Sequence, residues 1–181
     1  MSASRGAQRA MPVYLFPGEV HCAPEPAIVT TILGSCVAVC LWDAALHVGG
    51  INHFVLPEAR RGQSDARYGD IAIETLMGSL SGLGGEPRHW RAKVFGGAAV
   101  LPLDGRDDTV GRRNVALALD TLRRHRVPVL ARSTGGRHGR MIRLHTETGA
   151  VDLRRFGFEA ASPPGAAGPG LAVLEGALGD A

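Results

Sequence analysis

One cysteine in this sequence stands where the chain can present a nucleophilic thiol. Cys36 follows an apolar segment, residues 27–33, and the dipeptide Gly34-Ser35. Glycine adopts backbone angles that other residues avoid, so Gly34 favours a sharp turn that exposes the thiol. Backbone N–H groups near Gly34 and Ser35 can converge on an oxyanion at such a turn and stabilise it by about 3 kcal/mol per donor. The other interpretation is a core thiol, since free cysteine is among the most buried residue types.

A histidine further along the chain is a candidate base for that thiol. His53 lies in the apolar segment 48–55, which follows a short turn at residues 43–47. If segments 37–42 and 48–55 pair as antiparallel strands, His53 comes close to the start of the strand that follows Cys36. An unperturbed thiol is mostly protonated at neutral pH, so a nucleophilic cysteine needs such a partner. A core histidine bonded to a carbonyl is the alternative that the residues alone leave open.

Hydrophobic periodicity predicts the elements that position these two residues. Strands are predicted at residues 27–33, 37–42, 47–56, 93–101 and 127–131, with a hairpin formed by 141–145 and 151–156. Apolar residues at helical spacing predict one helix from Tyr68 to Gly84-Gly85 and a second over residues 111–125. Unevenly interleaved strands and helices favour an α+β fold, an α/β sandwich of mixed β-sheet with flanking helices.

Composition indicates one folded domain. The chain is 45% hydrophobic and 20% charged, as in ordinary globular proteins, and a net charge of +3 is too small and diffuse to indicate nucleic-acid binding. The sequence has no apolar run long enough to span a membrane and no start that resembles a secretory signal. Its three cysteines cannot all pair as disulfides. We therefore predict a cytoplasmic protein with free thiols. Residues 1–10 are predicted to be a flexible leader, 11–158 the folded domain, and 159–181 a disordered Pro/Gly-rich tail.

Several motifs, in one order, resemble the CheD family. The first are TTILGSCVAVCLWD at residues 30–43 and GGINHFVLP at residues 49–57. The resemblance continues through ARYGDIAIE (66–74), AKVFGGA (92–98), GRRN (111–114), VPVLA (127–131) and GGRHGR (135–140). Several separate matches in one order are far more specific than a lone Gly-Ser-Cys.

The resemblance implies a glutamine deamidase that acts on methyl-accepting chemotaxis receptors. Because methyl esters react through the same acyl-enzyme, we expect weak receptor methylesterase activity as a side reaction. It also implies an α/β sandwich similar to the catalytic domains of deamidating toxins. The family's cysteine, histidine and threonine carry over to Cys36, His53 and Thr30, with Thr30 orienting His53 by a hydrogen bond. Thr31 is adjacent, and the choice between the two threonines rests on alignment alone. The reaction requires neither a metal nor an organic cofactor.

The strongest competing interpretation is a binding protein of the adaptation network. The resemblance allows docking to a CheC-type phosphatase, for which Phe95, Gly96 and Gly97 are the candidate residues because glycine exposes backbone beside an aromatic ring. The same two glycines are equally consistent with a simple bend in the strand. A metal site is disfavoured, since the cysteines at positions 22, 36 and 40 form no Cys-x-x-Cys pair.

Overall fold

The computed structural model describes residues 10–99, 109–157 and 172–174, which form two β-sheets and two α-helices in three layers. Sheet 1 has the order β1-β3-β8-β9-β10, with strands β1 (Met11–Tyr14), β3 (Ala27–Leu33), β8 (His138–His145), β9 (Val151–Gly157) and β10 (Ala172–Leu174). Sheet 2 has the order β2-β5-β4-β6-β7, with strands β2 (Val20–Cys22), β5 (Val48–Asn52), β4 (Val37–Asp43), β6 (Trp90–Gly96) and β7 (Val129–Thr134). One face of sheet 2 packs against sheet 1, and the helices α1 (Gly69–Gly82) and α2 (Val110–Arg124) cover its opposite face.

Both sheets are mixed. Strands β1 and β3 pair parallel, as do β6 and β7, and the remaining pairs are antiparallel. The predicted α+β sandwich of mixed sheet with flanking helices is therefore confirmed. Its likeness to deamidating toxin domains stays a prediction.

Strand β4 forms the centre of the molecule and is buried on both faces, which accounts for its continuous apolar sequence. Val37, Val39 and Leu41 pack in the core between sheet 2 and the helices. Ala38 and Cys40 point the other way, into the core between the two sheets. Because side chains alternate along a strand, the position just before β4 faces sheet 1 as well. The sequence thus directs the thiol of the preceding residue, Cys36, towards the space between the sheets.

The two helices pack on sheet 2 through the faces predicted from their periodicity. Helix α1 buries apolar residues at helical spacing and ends before Gly84, whose φ of +92° suits glycine. Helix α2 has Thr109 as its N-cap, whose side chain accepts a hydrogen bond from the Arg112 N–H. Within the described ranges, no helix is long and apolar enough to cross a bilayer.

The strands differ from the sequence prediction mainly at the edges of the sheets. Strands β1 and β2 have four and three residues and were not predicted, since so short a segment shows no clear period. Ala172–Leu174 pairs with β9 as strand β10, where the Pro/Gly-rich composition predicted no strand. The rest of the predicted tail and nearly all of the predicted leader lie outside the described residues, so the domain boundaries stay a prediction.

Candidate active site

Cys36 and His53 lie on neighbouring segments of sheet 2 and face the same way. Strands β4 and β5 pair antiparallel, and the pairing continues through a bridge between Val37 and Phe54, whose two backbone hydrogen bonds are both 3.0 Å long. In this register Cys36 and His53 are diagonal neighbours, for which the typical Cα separation is about 7–8 Å. The antiparallel pairing expected from the sequence is confirmed, and it brings the thiol and the imidazole to one side of the sheet.

The hydrogen bonds of His53 define which ring nitrogen carries the proton. Its Nδ1 lies 2.8 Å from Thr31 Oγ1, and the Thr31 hydroxyl donates to the Leu15 carbonyl at 2.8 Å. A hydroxyl has one proton, so Thr31 Oγ1 must accept from the imidazole N–H at Nδ1. The Nε2 atom then carries the lone pair, and it is buried with no hydrogen-bond partner among the described residues, the Cys36 thiol included. An unprotonated Nε2 without a competing donor is what a general base requires.

Burial keeps both reactive groups neutral. His53 is only 3% exposed, and desolvation lowers the pKa of its imidazole to about 4, although the Leu15 carbonyl and the Glu19 carboxylate raise it in smaller measure. Burial also raises the pKa of the Cys36 thiol, which its own backbone N–H partly offsets. The resting pair is therefore a thiol beside a neutral imidazole, and not a thiolate–imidazolium ion pair.

The structure corrects the identity of the threonine that bonds to His53. Thr30 was expected to orient the imidazole, but the hydroxyl at Nδ1 belongs to Thr31. Successive side chains of a strand point to opposite faces, and Thr31 is buried towards sheet 2. Thr30 lies on the outer face of sheet 1, opposite Tyr14 and Arg143 on the adjacent strands. Its hydroxyl is therefore on the wrong side of the sheet for His53.

The carbonyls of the turn before β4 are hydrogen-bonded, whereas no described backbone carbonyl accepts from its amides. The Gly34 carbonyl accepts from the Ala98 N–H at 2.8 Å, and the Cys36 carbonyl accepts from the Gly97 N–H at 2.8 Å. The N–H groups of Gly34, Ser35 and Cys36 donate to no backbone carbonyl in the part of the chain that the structure describes. Ser35 is exposed, and the expectation that these amides hold an oxyanion stays a prediction.

Residues 95–98, the candidate docking segment, are buried instead of exposed. Phe95 is 0% exposed and belongs to the core between the sheets. Gly96 has a φ of +109°, and a Cβ there would lie 2.1 Å from the Cys36 carbonyl oxygen. A Cβ on Gly97 would lie 2.4 Å from Val115 of α2. The two glycines thus form a bend that lets β6 and α2 approach the Cys36 turn, and the segment offers no surface to a partner protein.

Sequence reasoning missed Asn114 as a support of this turn. Asn114 is fully buried, and its Nδ2 donates to the Ser35 carbonyl at 3.2 Å and to the Val55 carbonyl at 2.8 Å. One amide thereby ties the segment of the thiol to the segment of the imidazole. The available signal was a polar residue four positions before Ala118, on the apolar face of α2.

The sequence also did not predict that the loop between β1 and β2 supports His53. The His53 N–H donates to the Glu19 carbonyl at 3.0 Å, and the Gly18 N–H donates to the His53 carbonyl at 2.7 Å. Leu15 of the same loop supplies the carbonyl that orients Thr31. These contacts hold the backbone of His53 on the side away from β4, and Thr31 contacts the ring itself.

The remaining cysteines do not converge with Cys36 on a metal site. Cys22 packs against the core under the helices, and Cys40 lies in the core between the sheets, so they occupy opposite faces of sheet 2. Burial raises the pKa of the Cys22 thiol to about 11 and that of Cys40 to about 12. In residues 10–99 and 109–157, no group of three His, Cys, Asp or Glu side chains is placed to hold a metal ion.

Comparison with known proteins places these features in a family context. The model of the family described as "CheD chemotactic sensory transduction" matches residues 55–155. The chain is 48% identical over 141 residues to a Rhodospirillum rubrum protein named "Probable chemoreceptor glutamine deamidase CheD", covering 78% of this chain and 80% of that protein. It is 45% identical over 143 residues to a protein of the same name from Trichlorobacter lovleyi, covering 78% and 89%.

Proposed function

We propose, from the premise that this chain belongs to the CheD family, that it is a chemoreceptor glutamine deamidase which converts receptor glutamine side chains to glutamate. The observation that carries the chemistry is His53, whose Nδ1 proton is held by Thr31 and whose Nε2 is left free on the same side of the sheet as Cys36. This arrangement follows the logic of a nucleophile, a base and a third group that orients the base.

The first half of the reaction forms an acyl-enzyme. His53 Nε2 takes the Cys36 thiol proton as the sulfur attacks the carboxamide carbon of the substrate glutamine. The carbonyl oxygen becomes an oxyanion, which the free amides at residues 34–36 stabilise. The carbon–nitrogen bond then breaks, the imidazolium returns its proton to the leaving nitrogen, and ammonia departs from a thioester.

The second half restores the enzyme. A water molecule gives one proton to His53 Nε2 as its oxygen attacks the thioester carbon. The carbon–sulfur bond breaks, the sulfur recovers the proton, and the side chain leaves as a carboxylic acid that ionises. The net reaction is glutamine plus water to glutamate plus ammonia. A methyl ester of glutamate can enter through the same acyl-enzyme, so we expect weak methylesterase activity as well.

The experiment that tests this function uses the purified protein and the cytoplasmic part of a chemoreceptor from the same organism. We expect ammonia release together with the mass shift of glutamine to glutamate at defined receptor positions. An unreactive receptor, with no ammonia above the rate of receptor alone, contradicts the proposal. The cytoplasmic location of the enzyme is part of this proposal. Binding to a CheC-type phosphatase remains a prediction that the buried segment 95–98 does not support.

The correction from Thr30 to Thr31 leads to a paired prediction. Thr31→Val removes the hydrogen bond that holds the Nδ1 proton and the ring position, and misplacement of a catalytic group by about 1 Å costs on the order of 100-fold in rate. We expect kcat to fall by about that factor with little change in KM, and Thr31→Ser to recover most of it. Thr30→Val, on the outer face, is the matched control and should stay within about twofold of the parent rate.

The opposite ranking of the two valine variants contradicts the assignment. The assignment is also contradicted if Thr31→Val loses activity only because the protein is unfolded. Thermal unfolding of the variant detects that case. The pH profile of kcat separates positioning from stability, because a ring freed at Nδ1 can change tautomer and titrate differently.

The neutral resting pair predicts a particular pH dependence of thiol reactivity. Because burial raises the pKa of the Cys36 thiol and lowers that of His53 to about 4, few sulfurs are ionised at neutral pH. Iodoacetamide alkylation of Cys36, followed by peptide mass spectrometry, should therefore accelerate about tenfold per pH unit from pH 6 to pH 8. A rate independent of pH over that range indicates a thiolate–imidazolium pair and contradicts the prediction.

A further inference from the structure

A cavity lies near the Cys36 turn, and its lining includes none of the residues used in the steps above. Its volume is about 590 Å³, within the range of small-ligand sites. It is lined by Arg132, Ser133, Thr134, Gly135, Gly136, His138, Arg140 and Arg155. Among the described residues, the lining contains three arginines and one histidine and no carboxylate.

Arg140 is the centre of this cavity, which we call the arginine pocket. The residue is only 4% exposed. Its guanidinium donates to three neutral oxygens: Ser133 Oγ at 2.9 Å, the His138 carbonyl at 3.0 Å and the Gly135 carbonyl at 2.8 Å. It forms no ion pair with any described carboxylate. A buried cation without a counterion is costly, and these neutral oxygens hold its position without cancelling its charge.

A second arginine adds to this charge. Arg155 lies directly opposite Arg140 in the pairing of β8 with β9, and its Nη2 also donates to Ser133 Oγ, at 3.1 Å. Like charges directly opposite each other in a sheet are destabilising. Burial lowers the pKa of Arg140, and the proximity of Arg155 lowers it further. Since Ser133 Oγ accepts from both guanidinium groups, its hydroxyl proton remains free to donate to a bound group.

We propose that the arginine pocket binds an oxyanion, the group shared by a carboxylate and a phosphate. Two guanidinium groups fixed on one hydroxyl present several N–H donors at the cavity, the arrangement that bidentate recognition of such groups uses. Bound there, the anion offsets the repulsion between Arg140 and Arg155 and completes the charge balance that the described residues leave open.

The arginine pocket is joined to the catalytic turn by backbone hydrogen bonds. The Gly135 N–H donates to the Gly96 carbonyl at 2.9 Å, and the Ala99 N–H donates to the Gly136 carbonyl at 2.8 Å. Val37, Gly96 and Thr134 lie side by side across β4, β6 and β7, so two strand spacings, about 10 Å, separate the start of β4 from the pocket. A carboxylate of the protein substrate close to the target glutamine is therefore within reach, and a free phosphate is the other source.

The first arm of the test measures anion binding and does not depend on the proposed function. Inorganic phosphate is titrated against the full chain at constant ionic strength, with chloride as the reference, and thermal unfolding is followed. We expect phosphate to raise the Tm of the parent protein and Arg155→Gln to weaken its binding by at least about tenfold. Arg154→Gln, the neighbouring exposed arginine on the other face of β9, is the matched control and should bind phosphate as the parent does. If Arg155→Gln does not fold, Arg132→Gln replaces it as the test variant.

The second arm separates the two sources and rests on the proposed function. If the oxyanion is a substrate carboxylate, Arg155→Gln raises KM for the receptor about tenfold at similar kcat, and phosphate competes with the receptor. If the oxyanion is a free ligand, phosphate binds without competing and KM is unchanged. Equal phosphate binding and equal KM in Arg155→Gln and Arg154→Gln overturn the proposal, whereas an inactive protein that still binds phosphate through Arg155 overturns only the deamidase function.

Discussion

Replacing Cys36 with alanine should reduce ammonia release from the receptor by about 10⁴-fold or more, because no other cysteine among the described residues is placed to form the acyl-enzyme. Cys40 is buried in the core between the sheets and Cys22 lies on the opposite face, so neither can replace it. The measurement is a continuous ammonia assay, with the mass of the receptor as a second readout. Incubation of the parent enzyme with receptor at low pH, followed by rapid denaturation, should also reveal the thioester on the Cys36 peptide.

Cys22→Ala is the matched control for this variant. It removes a half-buried thiol from the same sheet and should retain ammonia release within about twofold of the parent. Thermal unfolding is measured for both variants, since a small change in a half-buried side chain should cost little stability. Ammonia release that survives in Cys36→Ala, or that disappears equally in Cys22→Ala, contradicts the assignment of the nucleophile.

Replacing His53 with glutamine should lower kcat by about 10³-fold near neutral pH, because general-base catalysis contributes 10² to 10⁴ and the thiol is then left protonated. Glutamine is chosen because its side chain can still donate to Thr31 Oγ1, so the packing between the sheets changes less than with alanine. Without the base, the reaction depends on thiolate formed by solvent. The residual rate should therefore increase about tenfold per pH unit from pH 6 to pH 8.

The control for this variant is His47→Gln, an exposed histidine in the turn between β4 and β5. It should keep the parent rate and the parent pH profile. A His53→Gln protein with the parent's pH profile, or with only a few-fold loss of kcat, shows that another group takes the thiol proton. Either result removes the base from the proposed mechanism.

The low pKa of His53 also has a consequence for stability. In the unfolded chain an ordinary histidine protonates near pH 6.5, whereas the folded imidazole stays neutral until about pH 4. Between these values the unfolded state binds more protons, so the free energy of unfolding decreases as the pH falls from 6.5 towards 4. The burial that keeps His53 neutral near pH 7 is thus also a source of acid sensitivity.

The sequence by itself determined the pairing that brings Cys36 and His53 to one side of the sheet. A short turn between two apolar segments allows essentially one local arrangement, an antiparallel pair, and the register of that pair follows from the chain lengths on each side of the turn. The helices and the hairpin of β8 and β9 were likewise predictable, because each has a clear period and its own turn or cap. These features depend on residues that are close together in the chain.

Tertiary structure alone decided which threonine orients His53. Strand β3 has β-branched or apolar residues at nearly every position, so its alternation does not reveal which face is inside. The packing of the two sheets determines which face is buried, so that Thr31 points towards His53 and Thr30 points outwards. Burial of residues 95–98 is decided in the same way, by the approach of α2 to the turn.

The arginine pocket is the clearest case of a feature that the sequence did not predict. Arg140 and Arg155 are fifteen positions apart in a chain rich in arginine, and the usual meaning of such residues is a solvated surface. The hairpin register places them opposite each other, and the end of β7 closes over Arg140 with Ser133. Local sequence determines strands and helices because their hydrogen bonds and periods are local. Which side chains share a site depends on how separate strands pack, and that is a property of the whole fold.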